Sequence, residues 1–492
     1  MLERLLPPSA VGREAEWQRL VDFASDTTPQ ATLGVMWGRR RIGKSYLLSH
    51  LCGDTRGLYY EAVRGSKGEA LAEIGAAIAA SIGAPAPLDL PDWETAIAAL
   101  MGLGVDRPFT VVLDEYPYLR EHSPELDSII QRAFGPNNPL RTATQCRLIL
   151  CGSAITVMSE LLSGAAPLRG RAGLDLRVSP FDYRGALQLY GTDDLRLATQ
   201  LHSIIGGVAA YGRDMVGNDL PTSLKDLGRW ASQRVLSPAA PLSREVELLL
   251  SEDPTTSKAR KINLYHATLA AIASGRRTPG RIADYVKLSG PSLDPILRSV
   301  TDAGFVERLQ DPIRNGRPTY HPGDPIIRFH YAILRPNHSR LSRHGTDARG
   351  LWTQLQPTFR SNVVGPAFES MARYWVTHFA DPGVVGDNPV HVGATAVAVD
   401  GVERKVDIVV ARDDGDQPSQ RSISAIGEAK SGEELSFTHL DRLEGVRGAL
   451  GARASEARLL LIGTSFTAAL TAEAKRRTDI ELVDLERLYF GS

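Results

Sequence analysis

Apolar runs of strand length alternate with helical stretches through the first 180 residues. Leu33-Gly34-Val35-Met36-Trp37 is a short continuous apolar run, and Tyr46-Leu47-Leu48-Ser49-His50-Leu51 follows it with helical character. Phe109-Thr110-Val111-Val112-Leu113 and Cys146-Arg147-Leu148-Ile149-Leu150-Cys151 are further runs of the same length. Strands that are apolar on both faces and separated by helices predict an α/β fold built on a parallel sheet. That pattern ends near Pro180-Phe181, and from Tyr183 to Val235 the chain reads as helices with polar connections.

Farther along, three short helices are predicted at Leu264–Ala273, Thr278–Val286 and Pro291–Ala303, separated by Gly275 and Gly290. Gly304-Phe305-Val306-Glu307-Arg308 and a Gly316-Arg317-Pro318 turn then predict a hairpin, completing the order of a winged helix-turn-helix. The final third reads as a helix at Gly365–Trp375, three strands that include Arg404–Val410 and Ile423–Lys430, a helix at Asp441–Leu450 and a strand at Leu459–Gly463. The expected organisation is an α/β core over 1–180, a helical lid over 181–258, a winged helix over 259–338 and a second α/β domain over 339–492.

Chemistry enters directly after the first strand. Gly38-Arg39-Arg40-Arg41-Ile42-Gly43-Lys44-Ser45 fits Gly-x-x-x-x-Gly-Lys-Ser between a strand and a helix, the setting in which backbone N–H groups close around phosphates. In such a loop Lys44 reaches the β and γ oxygens and the Ser45 hydroxyl takes a Mg²⁺ position, so ATP and Mg²⁺ are the expected ligands. The run from Phe109 ends in Asp114-Glu115: Asp114 is expected to hold Mg²⁺ and Glu115 to polarise the attacking water. Ser153, ending the next strand, suits a γ-phosphate sensor and equally an ordinary turn. Gly12 and Arg13, in a turn before the first helix, are placed to close over the nucleotide base.

Composition narrows the alternatives. The 492 residues are 43% hydrophobic and 23% charged, as expected of several globular domains, and a net charge of -1 excludes a polycationic coat. Any nucleic-acid contact must therefore come from a local basic face. The predicted winged helix offers one in Lys258, Arg260, Lys261, Arg276, Arg277, Arg281, Lys287, Arg298, Arg308, Arg314 and Arg317, if these converge. Three cysteines, Cys52, Cys146 and Cys151, are too few and wrongly spaced for a disulfide framework or zinc site, and fit a reducing cytoplasm. Nowhere do about eighteen apolar residues run together, so no membrane partner is expected.

A second constellation lies in the last third. Asp407 sits on one strand and Glu428-Ala429-Lys430 on the next, where residues two apart face the same side. Asp407 and Glu428 can hold Mg²⁺ against a phosphodiester while Lys430 orients or deprotonates water, with Glu369 on the upstream helix as a further acid. The same three residues also suit a buried ion-paired cluster without catalysis.

With these motifs the chain resembles archaeal-type P-loop ATPases, an AAA-related branch near the signal-transduction ATPases with numerous domains, that end in a restriction-endonuclease-like domain. The resemblance covers nearly the whole chain and rests on Gly12-Arg13-Glu14, Gly38 to Ser45, Leu113-Asp114-Glu115, Cys151-Gly152-Ser153, Gly170-Arg171, Gly206-Gly207-Val208-Ala209-Ala210-Tyr211 and Asp407 with Glu428 and Lys430. It implies that Arg169 or Arg171 is an arginine finger and that Gly206-Gly207 is a hinge. Ala209 departs from the pattern, which often has proline there. The expectation is an ATP-hydrolysing switch joined to a Mg²⁺-dependent nuclease-like domain, acting on nucleic acid, DNA before RNA, in the cytoplasm. A protein partner or self-association is the further expectation. The alternative is a regulatory or signalling ATPase that binds DNA or a protein and does not cut.

Overall fold

Phe109–Asp114, the strand β3, is buried at every position, and such a strand is stable only with neighbours on both edges and helices on both faces. It lies inside a five-stranded parallel sheet of order β2-β3-β4-β1-β5, where β1 is Thr32–Trp37, β2 Leu58–Glu61, β4 Cys146–Gly152 and β5 Ala172–Arg177. The computed structural model describes residues 6–7, 10–164, 166–252, 259–316, 318–343, 347–386 and 391–492. The chain divides into two units, Met1–Pro180 and Phe181–Ser492.

In the first unit, one continuous core joins β1, β3 and β4 to the helices Lys67–Ile82, Trp93–Gly102 and Leu126–Ala133 through Leu33, Val111, Leu148, Ile74, Trp93, Leu100 and Ile130. The first of these helices starts at a capping box between Ser66 and Glu69. The fully buried Arg147 on β4 breaks the apolar run. Its guanidinium donates to the backbone carbonyl oxygens of Asp26, Thr28 and Gln30, satisfying the turn that leads into β1.

The second unit contains a mixed sheet of order β12-β11-β10-β9-β8, formed by β8 His391–Val399, β9 Val402–Ala411, β10 Ile423–Lys430, β11 Arg458–Gly463 and β12 Ile480–Val483. β8, β9 and β10 are antiparallel, whereas β10, β11 and β12 run parallel. Asp400-Gly401 joins β8 to β9 with both residues at positive φ, +50° and +77°, as a two-residue hairpin turn needs. The helix Phe437–Leu450 begins four residues before the sequence pattern placed it, because Ser436 and His439 form a reciprocal cap.

Upstream stand the helices Ala259–Ala273, Pro279–Val286 and Gly290–Asp302, followed by an antiparallel hairpin of β6 Val306–Leu309 and β7 Thr319–Pro322. The hairpin loop does not project freely. Ile313 is 3% exposed and belongs to the same apolar core as Val397, Val409, Ile426 and Leu459 of the second sheet. Thr395 Oγ1 donates to Asp311 at 2.6 Å, and Arg314 donates to the Ala396 carbonyl at 2.8 Å. Arg314 is thereby withdrawn from any shared basic face. Arg281, Lys287, Arg298 and Arg308 are exposed, and Arg276 stacks 4.5 Å from the Tyr285 ring centroid. Lys258 and Arg317 lie outside the described residues, as do the side chains of Arg260 and Lys261.

The opening helix of the second unit, Tyr183–Tyr190, is fastened to the last helix of the chain, Leu485–Phe490. Tyr183 and Arg184 both donate to the Leu488 carbonyl, at 2.8 and 3.0 Å, and the Arg184 guanidinium lies 3.6 Å from the Phe379 ring centroid. Phe181 N–H donates to Gly207 O, and a Cβ at Gly207 would run into the Phe181 backbone.

Three desolvated histidines make the second unit sensitive to acid. Burial lowers His202 to about 4 and His330 to about 3, and burial reinforced by Arg277, Arg373, Arg328 and Lys405 takes His321 to about 2. An unfolded histidine titrates near about 6.5, so each depressed group contributes stability that is complete above that pH and lost as pH falls. Between about pH 6.5 and 4 each should cost about 1.4 kcal/mol per pH unit. Urea midpoints of the second unit at pH 7 and pH 5 should show the drop, and a midpoint that is level or higher at pH 5 would contradict it.

Candidate functional site

Parallel pairing brings the carboxyl ends of the strands to one edge, and the first candidate site forms there. The loop after β1 needs its glycines for different reasons. Gly38 has φ +152° and a Cβ would strike the Val178 carbonyl oxygen, whereas Gly43 has open space around it but sits at φ +99°. Arg41 also takes a left-handed conformation, with φ +68°. The helix Lys44–Thr55 starts at the end of this loop.

Lys44 is 6% exposed and its Nζ donates to the carbonyl oxygens of Gly38 and Arg39 at 2.9 and 2.8 Å. Burial lowers the pKa of this ammonium, opposed by the attraction of Cys151, Glu115 and Asp114. Arg40 donates to the Tyr118 hydroxyl at 2.6 Å. Arg13, 5% exposed, reaches across from the start of the first helix, pairing with Glu16 at 2.6 Å and donating to Ser179 O at 2.8 Å and Ile42 O at 3.4 Å. Gly12 precedes it at φ +76°. Arg13 therefore ties the phosphate-type loop to the end of the sheet.

Asp114 is 1% exposed at the end of β3. Burial pushes its carboxyl pKa up, but hydrogen bonds with Cys151, Ser45 and Tyr59 and from the Glu115 N–H outweigh this and hold it below the usual range. The Tyr59 bond is 2.7 Å long. Glu115 follows at φ +51°, an uncommon conformation for a non-glycine residue, and its carboxylate accepts from Ser153 Oγ at 3.0 Å to each oxygen. Glu61 pairs with Asp114 in the β2–β3 register, and burial together with Asp114 and Glu115 raises its carboxyl pKa. Tyr59, Glu61 and Tyr118 carry no motif; the β2–β3 register brings Glu61 opposite Asp114 with Tyr59 two residues earlier on the same strand, and the helix Tyr116–His122 that follows Glu115 carries Tyr118. The short Leu58-Tyr59-Tyr60-Glu61 run was the signal available for a further strand.

Arg169 and Arg171 sit in the turn before β5. Arg169 is exposed and donates to Gly164 O at 2.7 Å, and Arg171 is half-buried.

The second cluster lies in the other unit, where β9 and β10 pair with Ile408 opposite Gly427. Asp407 and Glu428 are 3% and 4% exposed. Lys430 Nζ lies 3.1 Å from Asp407 Oδ2 and 3.2 Å from Glu428 Oε1, and Arg442 Nη1 is 2.6 Å from Glu428 Oε1. Lys405 contacts Glu369 at 2.7 Å and Asp407 Oδ1 at 2.9 Å. Burial raises the Asp407 carboxyl pKa, but Lys405 and Lys430 more than offset it. Burial likewise lowers Lys430, and Asp407 and Glu428 reverse the sign. Glu428 Oε2 is buried without a hydrogen-bond partner. Among the described residues no three His, Cys, Asp or Glu side chains converge as a ready-made metal cluster, since Lys405 stands between Glu369 and Asp407. Lys405 stands two residues before Asp407 on β9, within reach of the same strand rule, whereas no spacing pointed to Arg442.

No family model matches the chain. An uncharacterized protein of Methanocaldococcus jannaschii is 25% identical over 314 residues, covering 62% of this chain and 65% of that protein. The match thus spans slightly less than two thirds of that relative's length. Among solved structures, the chain is similar to a Walker-type ATPase of Pyrococcus abyssi, with TM-score 0.47 and 20% identity over 68% of this chain and all of that one. It is also similar to the ORC2 protein of Aeropyrum pernix, with TM-score 0.41 and 14% identity over 68% and 97% of the two chains. No helix among the described residues is long and apolar enough to cross a membrane.

The geometry around Arg13 makes a prediction independent of activity. Arg13→Met leaves the Ser179 and Ile42 carbonyl oxygens without this donor, which should lower the stability of the first unit by about 1–3 kcal/mol. Urea unfolding measures this, and an unchanged midpoint would show that the guanidinium does not hold the loop.

Proposed function

We propose that this protein is an ATP-binding and ATP-hydrolysing switch. The observation that carries the reading is the meeting of Lys44, Ser45, Asp114, Glu115 and Ser153 at one edge of a parallel sheet, beside a loop that only glycines can close. Bound ATP with Mg²⁺ would supply the phosphoanhydride and the cation that offsets its charge. The residues fit both. The Gly38–Ser45 loop offers N–H groups to phosphate oxygens, and Lys44 has only two backbone carbonyls to exchange for them. Ser45 and the ionised Asp114 are hydrogen-bonded neighbours suited to a divalent cation. Glu115 is the base for the attacking water, and its Ser153 partner holds that carboxylate until a γ-phosphate competes for the hydroxyl. Arg169 and Arg171 are the candidate arginine fingers.

The expected consequences are separable. Lys44→Ala should abolish tight ATP binding, whereas Glu115→Gln should retain it and slow hydrolysis by about a hundredfold or more. Nucleotide titration and phosphate release measure the two quantities. Equal ATP affinity in wild type and Lys44→Ala would remove the assignment, and normal turnover by Glu115→Gln would place the base elsewhere.

The second part of the proposal assigns phosphodiester cleavage in nucleic acid, DNA before RNA, to Asp407, Glu428 and Lys430. Support comes from two buried acids bridged by Lys430, with a spare buried oxygen on Glu428. Asp407, Glu428 and Glu369 would hold Mg²⁺, provided the Lys405 ammonium swings out from between Glu369 and Asp407. A winged helix over 259–338 would present Arg281, Lys287 and Arg298 to phosphates, with its hairpin loop seated on the second sheet rather than in a groove. The helical segment 181–258 would be the lid, and a protein partner or self-association is a further part of the reading. Three buried free thiols fit a reducing cytoplasm.

A non-cutting regulatory ATPase is the second reading, favoured by the complete answering of Asp407 by Lys405 and Lys430. Asp407→Ala and Lys430→Ala decide between them. Cleavage should be lost from plasmid, single-stranded DNA or RNA with ATPase rate and melting temperature unchanged. A drop in melting temperature, with no cutting by the wild-type protein on any of these substrates, would leave the regulatory reading standing.

A further inference from the structure

Within the second unit, the helices Pro241–Glu252 and Ala259–Ala273 and the chain around residues 330–342 enclose a cavity of about 650 Å³. That volume is in the range of small-molecule sites. It shares no residue with either candidate site above.

Its lining divides into two chemistries. Leu236, Leu334 and the half-buried Ile262 provide an apolar interior, while the exposed Arg244 and Arg335 stand at the open side. Against the two guanidinium groups the lining sets a single carboxylate, Glu247, so the cavity carries a net positive charge. Arg335 donates one N–H to the His266 carbonyl at 3.2 Å, which anchors its fork at the cavity.

The backbone is unusual where it meets this space. His330–Leu334 forms a single π-helical turn, and its first and last residues both line the cavity. Isolated π turns widen a helix and are frequent at functional sites. His330 is 4% exposed, and its Nδ1 has no hydrogen-bond partner. A buried polar atom without a partner costs free energy and points to a group that completes it. Burial, with the positive fields of His266, Arg335 and His338, keeps this imidazole neutral, so the ring retains an acceptor nitrogen as well as a donor.

We propose that this cavity binds a small organic anion, its apolar body against Leu236, Ile262 and Leu334 and its oxyanion on Arg244 and Arg335. Guanidinium groups bind carboxylate and phosphate through the same paired N–H geometry, so the shared requirement is a planar or tetrahedral oxyanion on an apolar frame. An inorganic ion would leave the apolar wall wet, and an uncharged ring would leave the arginines unanswered.

Calorimetric titration of the full chain carrying Lys44→Ala, so that the nucleotide loop no longer captures phosphate, tests this with four probes. Benzoate and phenyl phosphate carry a ring and an oxyanion, benzyl alcohol carries the ring alone, and inorganic phosphate carries the oxyanion alone. Benzoate or phenyl phosphate should bind at least about tenfold more tightly than either control, the stronger of the two identifying carboxylate or phosphate as the source. Arg244→Met, at an exposed position, should weaken that binding by about tenfold, and Leu334→Trp, which fills the cavity, should abolish it. No binding of either ring oxyanion, equal binding of inorganic phosphate, or binding untouched by Arg244→Met would each overturn the proposal. The exposed Arg244 variant keeps the test valid if Leu334→Trp fails to fold.

Discussion

Every buried charge in this protein must be answered, and that requirement shapes both candidate sites. Asp114 is ionised in a dry interior because Cys151, Ser45, Tyr59 and the Glu115 N–H share its two oxygens. Lys44 rests on two carbonyls, Arg147 on three, and Asp407 between Lys405 and Lys430. Leaving any of these unpaired would cost several kcal/mol, more than most single contacts contribute. A ligand at either site would therefore exchange partners with groups that are already satisfied, the buried Glu428 Oε2 excepted. Any phosphate or cation at these sites would have to replace those hydrogen bonds and ion pairs.

The two sites differ in what must move. Around Lys44 the groups to be displaced are backbone carbonyls and the Ser153 hydroxyl, neutral partners that are readily re-solvated. Around Asp407 they are ammonium groups, and Lys405, with a half-exposed side chain, can leave for water without burying a new charge. The nearby hairpin adds a restraint of another kind. With Ile313 in the core of the second sheet, its loop serves packing rather than a free basic face.

Much of the arrangement of the first candidate site was legible in the sequence because its residues are largely local to one another. Gly38 to Ser45 is one contiguous segment whose glycines meet backbone constraints set within a few residues, and Asp114-Glu115 ends a run whose burial on both faces is written in its composition. Ser153 was readable as far as its strand end but not as the partner of Glu115. That bond depends on β4 pairing with β3, a choice made by the whole sheet. Tyr59 and Glu61 reach Asp114 through the pairing of β2 with β3 and left no motif.

The distal cluster divides along the same line. Spacing along β10 determined that Glu428 and Lys430 share a face, since strand geometry fixes it. Tertiary structure decided that Lys405 lies between Glu369 and Asp407, that Arg442 answers Glu428, and that Arg314 is spent on the Ala396 carbonyl. Apart from Lys405 with Asp407, two positions apart on β9, these contacts join residues 14 to 82 positions apart in the chain. The sequence by itself determined which segments could be strands and helices and where the glycines of the loop after β1 stood, because those depend on neighbours in the chain. Which charges meet depends on how sheets and helices pack, and long-range packing has no local signature.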